Sequence, residues 1–211
     1  MSTSAWCLVN RPAALFLFLA GVVGCAPGGD YEPRNGDIVF HTSRSAQSVA
    51  IQLATQSRYS HMGIVYVRAG EPFVLEAVQP VKLTPLATWT ARGEDGHFVV
   101  KRLRDADTRL TAEVLRKMYA VGEQFVGKDY DPYFEWSDER VYCSELVWKV
   151  FDRGAGIQVG ERQTIADFDL SHPGVQAKVQ ERYGDRIPLD EVVVSPAAIF
   201  DAANLETVYE N

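Results

Sequence analysis

The stretch Val141-Tyr142-Cys143-Ser144-Glu145-Leu146-Val147-Trp148 sets one thiol at the point where a loop turns into a helix. Leu146, Val147, Val150 and Phe151 recur at helical spacing and would bury one face, with Gly154 as the expected stop. Cys143 then falls in the first turn, where backbone N–H groups lack intrahelical partners and the helix dipole favours an anion. The thiolate is the reactive form of cysteine, and a helix N-terminus is one setting that favours it. A lone cysteine is more often a small buried apolar residue, so the thiol alone leaves that reading ahead. A histidine and a carboxylate upstream reverse the order.

Both lie on an expected hairpin, Met62 to Val67 and Phe73 to Val78, with Ala69-Gly70 at its turn. Pairing Val67 with Pro72 puts Gly63 opposite Glu76. His61 and Glu76 then become diagonal neighbours on one face, roughly 7–8 Å apart at the backbone. A register shifted by one residue would separate them. Glu76 stands in the otherwise apolar run Phe73-Val74-Leu75-Glu76-Ala77-Val78, where a carboxylate is costly without a partner. His61 is the partner that the spacing offers. Thiol, base and orienting acid are the parts of a cysteine hydrolase. The other histidines read as His41 ending a first strand, His97 opening another, and His172 in a Ser-His-Pro turn.

The rest of the chain alternates helices and strands. Gly36 to Phe40 reads as the first strand and Ser45 to Gln56 as an amphipathic helix. Val81 to Leu86 reads as a short edge strand, followed by a short helix through Trp89. His97 to Leu103 is strand-like. Thr108 reads as the N-cap of the strongest helix, with Leu110, Val114, Met118, Val121 and Phe125 at steps of three and four. An aromatic loop, Gly127 to Arg140, leads into Cys143. Beyond it, helices are expected from Ser171-Pro173 to Arg182 and from Ser195-Pro196 to Asp201, with strands at Glu191 to Val194 and Glu206 to Tyr209. Mixed elements with antiparallel hairpins make the class α+β.

Four segments in order, Gly36-Asp37-Ile38-Val39-Phe40, Ser60-His61-Met62-Gly63-Ile64-Val65, Leu75-Glu76-Ala77-Val78 and Tyr142-Cys143-Ser144-Glu145-Leu146-Val147, resemble the YiiX/YebB-like branch of NlpC-type cysteine hydrolases. These are circularly permuted papain-like enzymes in which histidine and acid precede the cysteine. The resemblance runs from about Gly36 to the end and takes in Tyr130-Asp131, Phe134, Glu181-Arg182-Tyr183-Gly184 and Ser195-Pro196. It implies an antiparallel sheet packed against the helix that carries the cysteine. It also implies Cys143 as nucleophile, His61 as base and Glu76 as the carboxylate that orients the base. Tyr142 and Tyr59 are the side chains considered for substrate binding. Each motif is short; four in order make the signal specific.

The N-terminus is expected to be a targeting segment. Arg11 supplies a positive charge, and Ala13 to Val23 is an apolar run too short for a mature membrane-spanning helix. Val22-Val23-Gly24-Cys25 resembles the lipobox of bacterial lipoproteins. Residues 1–24 would then leave as a signal peptide, Cys25 would carry a lipid, and residues 25–35 would tether a hydrolase domain of residues 36–211. Ala26 fits sorting to the outer membrane, with the domain on the periplasmic side of a bacterial envelope. Cys7 would leave with the signal, so Cys143 would be the one free thiol and no disulfide framework is expected.

A formal charge of −7 argues against nucleic acid as a partner. The four histidines lack ligand-like spacing and neither Cys-x-x-Cys nor His-x-x-x-His occurs, so no metal or other cofactor is expected. The leading expectation is a lipid-anchored cysteine amidase acting on cell-wall (peptidoglycan) peptides through a thioacyl intermediate. One alternative is an acyl hydrolase or acyltransferase on lipids or lipid amides. Another is a non-catalytic module that binds a cell-wall or lipid ligand.

Overall fold

The computed structural model describes residues 31–211. The expected signal peptide, the lipid-bearing Cys25 and most of the tether lie outside the described residues. In chain order the elements are β1 (Ile38–His41), α1 (Ala46–Thr55), β2 (His61–Arg68), β3 (Glu71–Glu76), β4 (Lys82–Pro85) and α2 (Leu86–Thr90). They continue with β5 (Val99–Leu103), α3 (Ala106–Arg109), α4 (Ala112–Glu123), β6 (Asp129–Tyr130), β7 (Arg140–Val141) and α5 (Cys143–Ala155). The last are β8 (Gln163–Thr164), α6 (Pro173–Tyr183), β9 (Val192–Val193), α7 (Pro196–Phe200) and β10 (Leu205–Glu210).

Six strands form an antiparallel sheet in the order β10-β5-β1-β2-β3-β4. Alternation along the strands gives it two apolar faces. Ile38, Phe40, Met62, Ile64 and Leu75 share a core with Leu146, Val147 and Val150 of α5. Val39, Val65, Val74 and Val100 form a smaller core with Leu86 and Trp89 of α2. Both faces are therefore covered, and the helix that begins at the cysteine lies on the larger core. The class is α+β, as the resemblance implies.

The hairpin register places Val67 opposite Pro72 and Ile64 opposite Leu75, which carries Gly63 to Glu76 one step further on. Ala69 and Gly70 turn it with positive φ angles of 51° and 86°. A Cβ at Gly63 would meet the Val74 side chain at 2.4 Å, so this position admits no larger residue between the strands.

Two element boundaries differ from expectation. Thr111, not Thr108, caps the long helix by accepting from Val114 N–H, because residues 106–109 form a separate turn of helix. Gly154 does not stop α5; Gly156 does, in the left-handed conformation. Gly154 has a different duty. A Cβ there would sit 2.6 Å from the Met118 Cα, so α4 and α5 cross in contact at this residue.

Candidate active site

The cysteine turn is pinned from both sides. Cys143 is the first residue of α5, so its backbone N–H has no intrahelical partner. The flanking Tyr142 accepts from Val194 N–H through its phenol oxygen at 3.1 Å, and Ser144 Oγ donates to the Val194 carbonyl at 2.7 Å. Burial pushes the Tyr142 phenol well above its ordinary value. Glu145 is buried and pairs with buried Lys149 at 2.6 Å, one turn along. Burial raises the Glu145 carboxyl to about 7 against the pull of that lysine. Lys149 also donates to Asp138 and to the Ser137 carbonyl, which ties the aromatic loop to the helix.

At the start of β2, His61 Nε2 shares a 2.8 Å hydrogen bond with Glu76 Oε2 at the end of β3. The Cys143 side chain is the ring's other interaction partner. Burial opposes protonation of the ring, but the thiol of Cys143 and the carboxylate of Glu76 outweigh it and raise the pKa to about 9. Glu76 is fully buried, which by itself would favour the neutral acid. Hydrogen bonding to His61 and Thr84, and the charges of His61 and Arg92, instead hold it down at about 2. Thr84 Oγ1 donates to Oε1 at 2.5 Å, and Arg92 donates to both oxygens at 2.6 and 2.7 Å. The acid is therefore a fixed negative charge beside the imidazole.

A second histidine stands next to the first. His41 pairs across the sheet with His61, and the ring centroids are 5.2 Å apart. The His41 ring stacks on Trp89 at 4.1 Å, and its Nδ1 is buried with no partner. Burial, then the neighbouring charges of His61 and Arg92, lowers its pKa to about 3. His41 is thus held neutral where His61 is held charged.

Two openings meet at this cluster. An apolar cavity has Cys143 in its wall, and a more open cleft has His61, Ser43, Ser45, Ser48 and Ser60 in its wall. Gln47, Ile51 and Tyr130 line both, and Gln47 Nε2 donates to the Tyr130 phenol at 2.8 Å. Pairing of Tyr130 with Val141 in the β6–β7 ladder brings this tyrosine beside Cys143.

The structure brings Cys143, His61 and Glu76 together. It places Tyr142 in the cavity wall with its hydroxyl spent on Val194. Tyr59 is a correction: its ring stacks on Phe200 at 4.4 Å and lies edge-on to Phe40, and it lines neither opening. It is a core residue. Arg92, Thr84, His41 and Trp89 were not singled out from the sequence for this site. Arg92 follows a short helix and Thr84 sits on an edge strand, with no local pattern that marks either one. A buried carboxylate needing more than one donor was the one available signal.

Comparison with known proteins places this arrangement. Residues 32–209 match a family described as permuted papain-like amidase enzyme, YaeF/YiiX, C92 family. The chain is 50% identical to protein YiiX of Escherichia coli strain K12 over 192 residues, which cover 91% of this chain and 94% of that protein. It also superposes on a crystal structure described as metalloprotein yiiX from Escherichia coli O157:H7, with a TM-score of 0.82 and 52% identity. That match covers 86% of this chain and 99% of the other. Among the described residues no three His, Cys, Asp or Glu side chains come together to hold a metal. His61 Nε2 and both Glu76 oxygens are taken by protein partners. The chain belongs to the permuted papain-like amidase family and is a cysteine hydrolase of the amidase type.

Proposed function

We propose that this protein hydrolyses an amide through Cys143, His61 and Glu76, with a thioacyl intermediate on Cys143. The observation that carries the reading is His61, bound through Nε2 to an ionised, buried Glu76 and held charged by that carboxylate together with the Cys143 side chain. Sγ of Cys143 attacks the carbonyl carbon as its thiolate, and the backbone N–H at the head of α5 receives the oxyanion. Protonated His61 gives its proton to the leaving amine. His61 then takes a proton from water, which attacks the thioester and releases a carboxylic acid and the thiolate. Glu76 holds the ring in one tautomer throughout.

The chemistry can be tested without knowing the substrate. Alkylation of Cys143 by iodoacetamide at neutral pH should slow at least tenfold in His61→Ala, with the thermal midpoint nearly unchanged. Equal rates in both proteins would remove His61 from the mechanism.

Envelope residence is part of the proposal and rests on residues 1–25: cleavage before Cys25, acylation of that cysteine, and a periplasmic-facing outer-membrane anchor. Mass spectrometry of the mature N-terminus tests it. Cell-wall peptides are the substrate that this location favours. A second reading, an acyl hydrolase or acyltransferase on lipid amides, is favoured by the apolar cavity beside the thiol.

A further inference from the structure

Two buried nitrogens beside the site have no hydrogen-bond partner among the described residues, Nδ1 of His41 and Nε1 of Trp89. A hydrocarbon ring at either place would strand no polar atom, so stability alone does not account for them. Both rings lie against His61. His41 stands across the β1–β2 pairing from it, with the ring centroids 5.2 Å apart. Trp89, on α2, lies 6.0 Å from it with the ring planes 25° apart, and stacks on His41 at 4.1 Å and 16°. Gly93 packs against His41, where a Cβ would meet Nδ1 at 3.3 Å.

The charge on His61 is held at one edge of the ring, where Nε2 meets Glu76 of β3, and Cys143 of α5 is the other polar partner. Burial works against that charge more than any other single influence. An aromatic neighbour offsets burial without a hydrogen bond. A cation held within about 6 Å of an aromatic face is drawn to the ring's electron density, indole attracts it most, and the attraction grows where water is excluded. His41 can contribute only as the neutral imidazole; protonated, it would set a second cation 5.2 Å from the first. Burial and the charges of His61 and Arg92 keep it neutral against the pull of Glu76. Tyr130 of β6, in the wall of the same cleft as His61, is kept neutral by its own burial.

We propose that Trp89 and His41 form an aromatic wall that stabilises the imidazolium of His61, and so act as positioning residues in the hydrolysis. This rests on His61 being the base of the reaction, and the test separates the two claims. The full chain is prepared with isotope-labelled histidine, and the His61 ring signal is identified by its absence in His61→Gln. Its titration is followed by NMR in the wild type, Trp89→Phe and Trp89→Leu, with iodoacetamide alkylation of Cys143 measured over the same pH range. His61 should titrate about 0.5–1 pH unit lower in Trp89→Leu than in the wild type, and the alkaline limb of alkylation should fall with it. Trp89→Phe keeps a π face and should recover at least half of that difference. Should Trp89→Leu fail to fold, His41→Phe against His41→Leu reads the same contrast from β1. A His61 midpoint unmoved by leucine, or moved equally by leucine and phenylalanine, makes the wall a packing surface and overturns the proposal while leaving the base in place. Alkylation as fast in His61→Ala as in the wild type removes the base itself, and the positioning role falls with it.

Discussion

Arg92 donates hydrogen bonds to both carboxylate oxygens of Glu76, at 2.6 and 2.7 Å, from a turn that the sequence places sixteen residues downstream. Glu76 is fully buried while the Arg92 side chain is 40% exposed, so the pair keeps an interior acid ionised by way of a surface cation. Arg92→Gln removes the charge and keeps a donor. The carboxyl pKa should rise from about 2, and the acid limb of the Cys143 alkylation profile should move to higher pH with it. Partial exposure limits the stability cost to about 1 kcal/mol. An unmoved acid limb would show that Thr84 and His61 suffice to hold Glu76.

His61 predicts a pH dependence of opposite sign. The folded protein holds this proton up to about 9, whereas the unfolded chain loses it near 6.5. Its contribution to stability is complete below 6.5 and is lost as pH rises through 9. Denaturant midpoints of the wild type should therefore fall between these values, and those of His61→Gln should fall less. Turnover should decline above 9 as the general acid is lost. A wild type no more sensitive than the variant would contradict the assignment.

His41 acts in the acid range. Its pKa is about 3 when folded and near 6.5 when unfolded, so its neutral form favours the fold above 6.5 and that advantage is lost as pH falls toward 3. The groups that set this are burial, His61 and Arg92, with Glu76 opposing them. His41→Phe keeps a ring against Trp89 and removes the titration. At pH 4 the variant should be more stable than the wild type by roughly 1–3 kcal/mol in denaturant unfolding. Equal acid sensitivity would show that His41 already finds a partner when protonated.

Gly154→Ala tests the crossing of α4 and α5. The added methyl would meet Met118 Cα at 2.6 Å and N at 2.8 Å, which are backbone atoms and cannot swing aside. A loss of about 1–3 kcal/mol is expected from such overpacking. Ordinary helix propensity would give the opposite sign, since alanine is favoured over glycine within a helix. The direction of the thermal shift decides between them.

How much of this was legible in the sequence varies with the range of the interaction. The hairpin register was, because turn residues at Ala69-Gly70 and an apolar alternation fix it locally; it carries His61 and Glu76 to one face. The helix starts at Ser45 and Ser195-Pro196 were too, and in the structure each serine accepts from a backbone N–H three residues on. Gly154 was misread because a glycine late in a helix looks like a terminator until the neighbouring helix is in place. Thr108 was misread because Leu110 keeps the spacing of the apolar stripe although it falls between a separate turn at residues 106–109 and the helix that Thr111 caps. Arg92, Thr84 and His41 reach the site through strand order and a short helix, and neither leaves a periodic trace. Tyr59 lies two residues before His61, ahead of β2, and its ring turns into the core against Phe200 and Phe40, a long-range contact that the sequence does not display.

Cys143 is the one cysteine among the described residues. Its oxidation to a sulfenic acid would have no second thiol within them to close an intramolecular disulfide. No cross-link there holds the sheet to α5, so reductant leaves the fold of this region untouched. Oxidant reaches it through the sulfur proposed to do the chemistry. Redox conditions would therefore govern whether the enzyme works without governing whether it stays folded.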